Sequence, residues 1–274
     1  MAPKNDFETT ILTVDSIKDF QTCALLYDLR HKQELREPLL KRDAIAVRFE
    51  NTMKKIASFF FYKQQSGVIP SFSALVNRWE RLWFPKDMTA YDIAVERHES
   101  AHDNLVSFSS VASAALQQFY EDFAEIEAHP MMIDEGFVVP VSRELRLQGS
   151  FDLVLRDFNK NEYKVIKWNA TKRRRPLGSL VLDYAALKYA FDYRNDNKSL
   201  DVSYYMYDLG SSKPGFVDVQ VQKEDVDALM YWAGSVHDTD VYAPRRGLTW
   251  YCSRCPFDNP CSEFVYPPIE MENA

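Results

Sequence analysis

The sequence predicts a mixed α/β fold: a mixed sheet core, a helical insertion ahead of it, and a C-terminal cysteine cluster. Three observations lead there. Apolar residues recur every three or four positions up to about residue 128, then every second position from Phe137 to Trp168. Helical spacing returns over 177–194, followed by two strand-like runs and a last helical run. The four cysteines are split, with Cys23 early and Cys252, Cys255 and Cys261 late. A three-strand meander, a crossover helix and further strands make a mixed sheet that needs helices to cover it.

The elements follow in order. Residues 1–10 are polar. Asp15 or Ser16 is expected to cap a helix that turns Ile17, Phe20, Leu25 and Tyr27 inward, with Cys23 on it or just after it. Ile45, Phe49, Met53, Ile56 and Phe60 predict a helix over 43–63, broken by Gly67 and Pro70. Phe72, Leu75, Trp79 and Trp83 form a second stripe ended by Pro85. A third runs from about Ala90 to Ala128. After Pro130, 137–141, 145–157 and 163–168 read as strands, with a turn at Asn159-Lys160-Asn161. Helix 177–194, strands 202–209 and 216–221, and helix 223–236 complete the order.

Composition bounds the rest. With 274 residues, 46% hydrophobic and 27% charged, the chain has material for one large domain. The division expected is a single domain over 1–274, with a helical insertion at about 50–130 and a core at about 131–236. A cysteine segment at 237–266 is joined to Cys23. A net charge of −7 excludes a protein that wraps nucleic acid with its whole surface, so any DNA contact is local. No apolar run reaches membrane-spanning length, so no membrane partner is expected. The opening MAPKNDFETT is not a signal peptide, and a cytoplasmic, intracellular location is the expectation.

The cysteine run is C-x2-C-x5-C, and four thiolates suit zinc or an iron–sulfur cluster. Structural zinc more often takes two close pairs. The one-plus-three split favours a [4Fe-4S] cluster, with zinc as the alternative. Disulfides need an oxidising compartment, and ordinary buried thiols need no such spacing.

This order, with its cysteine bracket, resembles the PD-(D/E)XK nuclease superfamily, and within it the iron–sulfur RecB-like branch: the AddB-type subunits and the CRISPR-associated RecB-like exonucleases. Ser16-x6-Cys23-x3-Tyr27 resembles the branch's opening helix, and Leu147-Gln-Gly149-Ser-Phe-Asp152 its G-x-x-D strand. The resemblance implies two carboxylates on adjacent strands holding Mg2+ or Mn2+, with a lysine two residues after the second, and a metal that activates water. Asp152 matches the first carboxylate. The second strand reads Tyr163-Lys164-Val165-Ile166-Lys167-Trp168-Asn169, so Lys167 stands for the second carboxylate and Asn169 for the lysine. Arg48 stands at the position of a histidine, and Ala185 at that of a glutamine, with Tyr189 retained. A lysine about 4 Å from a divalent ion meets roughly 8 kcal/mol of repulsion at an effective dielectric near 20. An Asp152–Lys167 pair is therefore expected in place of Mg2+, and the resemblance implies a pseudonuclease. Its role is then to bind DNA, or a protein partner in a DNA-processing or phage-type assembly. The alternative is an active Mg2+- or Mn2+-dependent DNA exonuclease. Glu162-Tyr163-Lys164 is a literal E-x-K, but it starts the strand, about 16 Å before the expected position.

Two further motifs are weighed. His98-Glu99-Ser100-Ala101-His102 is an H-E-x-x-H and points to a zinc peptidase, a third reading. Its flanks, Arg97 and Asp103, are charged, which fits solvated helix histidines better. Lys172-Arg173-Arg174-Arg175 follows the third strand and is the candidate for phosphate contact. A solvated loop explains the run equally well.

Overall fold

The computed structural model describes residues 9–34, 44–84, 101–171, 177–196, 198, 200–210, 214–244, 252, 255, 257 and 261. They fall into two compact units. The first comprises Met1–Pro38, Val138–Gln148 and Val226–Ala274, and the second Leu39–Phe137 and Gly149–Asp225.

The first unit brings both ends of the chain together. Strand β1 (Thr10–Thr13) runs directly into helix α1 (Val14–Thr22). The cap is Thr13, earlier than the Asp15 or Ser16 expected. Its hydroxyl accepts from the Ser16 amide, and the Ser16 hydroxyl accepts from the Thr13 amide, so two orphan amides are satisfied reciprocally. Cys23 is extended and breaks α1 from the short α2 (Ala24–Tyr27), which widens into a π turn at Asp28–Lys32. Ile17, Phe20, Leu25 and Tyr27 are buried, as their spacing predicts. β1 lies parallel to the start of strand β3 (Leu145–Asp157), from Thr10 opposite Leu145 to Thr13 opposite Gln148. Four residues are too few to show alternation, so β1 left no period in the sequence.

The second unit is a mixed sheet with helices. Helices α3 (Ala44–Gln65), α4 (Phe72–Trp83) and α5 (Ala101–Phe123) precede strand β2 (His129–Pro140), which pairs with β3. Next come β4 (Glu162–Asn169), α6 (Val181–Arg194), β5 (Asp201–Asp208) and β6 (Gly215–Val219). Helix α7 (Lys223–His237) follows and belongs, from Val226 on, to the first unit. β3 and β4 are antiparallel, β4 and β5 parallel, and β5 and β6 antiparallel. A parallel pair needs a crossover, and α6 supplies it.

Alternation sorts the sheet's side chains. Ile166 and Trp168 join Leu153, Leu155 and Tyr207 in one core with α3, α4 and α5. Its centre is aromatic: the Phe61 and Trp168 rings stack at 6.1 Å, and Phe123 meets Tyr207 at 5.0 Å. Tyr163 has the other parity and meets Phe191 of α6 at 5.2 Å. Odd residues of β4 thus face α6, and even residues face the helical layer. Among the described residues, no helix is long and apolar enough to cross a membrane.

Candidate active-site region and cysteine cluster

The strand pair that carries Asp152 and Lys167 opens where they meet. The β3–β4 ladder is paired from Asp157 opposite Glu162 up to Leu153 opposite Ile166. Beyond it, the Trp168 amide donates to the Asp152 carboxylate at 2.8 Å. The carboxylate thus takes over a backbone group that the ladder would otherwise satisfy. The Asp152–Lys167 pair expected from the sequence is not the one that forms. The Lys167 ammonium lies 3.8 Å from Asp183, in the first turn of α6. Lys167 shares the α6-facing side of β4 with Tyr163, and on that side Asp183 is within its reach. Asp183 is thus a carboxylate of this region that sequence reasoning missed. Its mark was an acidic residue in the first turn of a helix, a common feature.

Asn169 is buried and committed: its amide donates to Asp208 on β5 at 3.2 Å and its oxygen accepts from Thr171 at 2.9 Å. Tyr184 of α6 is fully buried, and its hydroxyl has no hydrogen-bond partner among the described residues. Burial, then the charges of Asp152 and Asp183, push its pKa far up, so it stays a neutral donor. Ala185 is fully buried. Tyr189 lies on the same helix, its pKa raised chiefly by burial.

Arg48 does not add its charge to the cleft, contrary to its expected position there. Its guanidinium donates to the carbonyls of Leu82 and Trp83, at 3.1 and 2.9 Å, in the last turn of α4. Carbonyls at a helix C-terminus lack helical partners and attract a cation, which accounts for the placement. Glu162 sits at the turn end of β4 and accepts from the Ser203 hydroxyl at 2.7 Å, remote from Asp152 along the strand. Residues 172–175, His98 and Glu99 lie outside the described residues.

A cavity of about 580 Å³ opens over Asp152. Its floor includes Asp152 and Trp168, and Asp134 of β2 adds a second carboxylate. Its wall is one face of α3, with Asn51, Lys54, Lys55, Ser58, Phe59, Tyr62, Lys63 and Ser66, joined by Arg78 of α4. Sequence reasoning read α3 only through its buried stripe. The opposite, polar face looked like ordinary solvated surface.

In the first unit, Cys23, Cys255 and Cys261 pack against one apolar cluster of Leu25, Leu26, Leu29 and Phe257. Burial pushes the Cys255 thiol up, and the nearby Cys23, Cys261 and Cys252 push it further. The four thiols split early and late in sequence are therefore neighbours. Among the described residues, no group of three or more His, Cys, Asp or Glu side chains is drawn together as a metal-ion site.

A family model described as the PD-(D/E)XK nuclease superfamily matches residues 11–262. The chain belongs to this superfamily. Among solved structures, it is similar to a proposed exonuclease from Eubacterium rectale, at 9% identity and a TM-score of 0.45, over 98% of this chain and 96% of that one. It is also similar to SSO0001, at 10% identity and a TM-score of 0.40, over 94% and 86%. Likenesses at this level carry no functional argument. No curated protein matches.

Membership in the PD-(D/E)XK superfamily gives the geometry above its reference. At the β3–β4 opening, a superfamily nuclease holds a divalent ion between two carboxylates. This chain has Asp152 on β3 and, on β4, a lysine already beside Asp183. The position that the resemblance gives to the second carboxylate is Lys167, and two residues on, where the resemblance has a lysine, stands Asn169 with its amide bonded to Asp208.

Proposed function

We propose that this chain is a nucleic-acid-associated PD-(D/E)XK protein that has lost metal-dependent cleavage and carries a [4Fe-4S] cluster on Cys23, Cys252, Cys255 and Cys261. One observation carries the loss of cleavage. The Asp152 carboxylate is engaged by the Trp168 amide, and the Lys167 ammonium stands where the second carboxylate belongs. A divalent ion there loses one ligand and gains a repelling charge. The cysteine bracket supports assignment to the iron–sulfur RecB-like branch. A four-iron cluster accepts thiolates spread around a body, whereas zinc needs four sulfurs at about 2.3 Å from one point. When bound, the cluster acts as a staple between early and late segments of the first unit. The protein then holds DNA, or a partner in a DNA-processing or phage-type assembly.

A second reading rests on Asp183 and Tyr184. With Asp152, Asp183 supplies a second carboxylate from a helix, and an active exonuclease would use that pair if Lys167 moved aside. The test is anaerobic purification with iron, zinc and sulfide analysis, then assay on single- and double-stranded DNA with Mg2+ or Mn2+. The expected preparation is brown, absorbs broadly near 400 nm and does not cut. One zinc without sulfide moves the cysteines to the zinc class. Cleavage lost in both Asp152→Ala and Asp183→Ala establishes the second reading instead.

A further inference from the structure

We infer that the cavity between α3 and α4 seats a single strand of nucleic acid, with Lys55, Lys63 and Arg78 on its phosphates and Tyr62 under a base. The inference rests on the nucleic-acid reading above and assigns its contact residues. The cavity reverses the sign of the chain. Four cations and two carboxylates line it, in a protein of net charge −7.

The cations differ in their commitments. Lys54 is tied to Glu50 at 2.9 Å. Lys55 and Lys63 are exposed, and neither has a carboxylate partner among the described residues. They lie on one face of α3, about 12 Å apart along the axis. That spacing suits two phosphates of one strand better than one small anion. The Arg78 guanidinium is laid over the Phe59 ring at 4.3 Å. The stacking fixes its plane, while its N–H groups have no acceptor among the described residues, an arrangement suited to phosphate.

Tyr62 supplies the element that selects an unpaired base. Its hydroxyl donates to the Ile133 carbonyl at 2.9 Å, and the residue is still 50% exposed. The ring is held by its tip and open on its flank. A fixed, open ring is a stacking platform, and it is used when bases are free of a duplex. Asp152 lies at the floor, where it repels a phosphate. This keeps the strand's phosphates to the α3 and α4 rim.

Fluorescence anisotropy of labelled DNA with the full chain, over a range of salt, tests the assignment. The natural chain should bind a short single strand more tightly than the blunt duplex of the same sequence. Lys55→Ala with Lys63→Ala should weaken it at least tenfold and flatten the log–log salt slope by about 1.4, at about 0.7 per single-strand phosphate. Arg78→Ala and Tyr62→Ala should each weaken single-strand binding, and Tyr62→Phe should retain most of it. Thermal melts of each variant check that the fold is kept. Unchanged binding in these variants, with loss only when residues 172–175 are neutralised, overturns this site and leaves the nucleic-acid reading standing. A mononucleotide bound as tightly as the oligonucleotide overturns the strand. If the natural chain binds neither form of DNA, both readings fall.

Discussion

Asp152 shows how a side chain can complete the open end of a strand ladder. A carboxylate at the end of a ladder finds the nearest unpaired donor, and here that donor is the Trp168 amide at 2.8 Å. Asp152→Ala should leave that amide without its acceptor and cost about 1–3 kcal/mol. Asp152→Asn keeps an acceptor oxygen and should cost less. Urea unfolding of the three proteins, with the slope checked for constancy, measures the difference. Tyr207 illustrates the same rule on the core side. Its hydroxyl donates to Asp122 at 2.7 Å, and burial, first, then that bond and the nearby carboxylates push its pKa far up. It remains a donor over the whole physiological range.

Among the elements, the β3–β4 hairpin carries its own pH dependence. Asp157 accepts from the Lys160 and Asn159 amides at 3.1 and 3.0 Å, and Asn161 takes the left-handed conformation that the turn requires. Those amides, the Lys160 bond first, hold the Asp157 carboxyl below its usual value despite burial, which opposes them. A depressed folded-state pKa stabilises above the unfolded value, near 4, and that stability is lost as pH falls through the folded one. The natural chain should therefore weaken below about pH 4, and Asp157→Asn should weaken less steeply over the same range. Stability curves at pH 5, 4 and 3 decide this; equal slopes would remove the turn as the cause. The β5 exit is constrained by contact instead. A Cβ at Gly210 would lie 2.4 Å from the Ala170 carbonyl, which is backbone and cannot rotate away. Gly210→Ala should cost about 3 kcal/mol. At Gly149 the Cβ would meet the Phe137 ring at 2.5 Å, so the motif glycine reflects close packing of β2 on β3.

At the scale of the whole molecule, the cysteines concern the chain's two ends. The first unit draws Met1–Pro38 and Val226–Ala274 together. A group bound by Cys23 and the three late cysteines closes a very long loop, and closing a loop of that order constrains the unfolded chain by about 5–6 kcal/mol in the entropy model. Cys23→Ser should lower the melting temperature and expose both terminal segments to limited proteolysis, with parallel loss of iron. Retained iron and unchanged protease sensitivity would show that the four cysteines do not act as one ligand set.

Sequence alone determined the order of the longer helices and strands, because the switch from a period near 3.6 to a period of 2 after Pro130 is a property of neighbouring residues. It also determined the key departures at the strand pair, since Lys167 and Asn169 are chemical identities that no packing can alter. It placed Asp152 by the glycine three residues before it. Tertiary structure decided which charges meet. Lys167 turns to Asp183, sixteen positions on, and Arg48 to carbonyls of α4, because a hydrogen bond or ion pair is chosen at 3–4 Å and such distances between remote residues leave no trace in local spacing. The four-residue β1 was likewise invisible until its partner in β3 was in place. The cationic wall of α3 was present in the sequence as a polar face, but only the floor beneath it, with Asp152 and Trp168, turned that face into the side of a cavity.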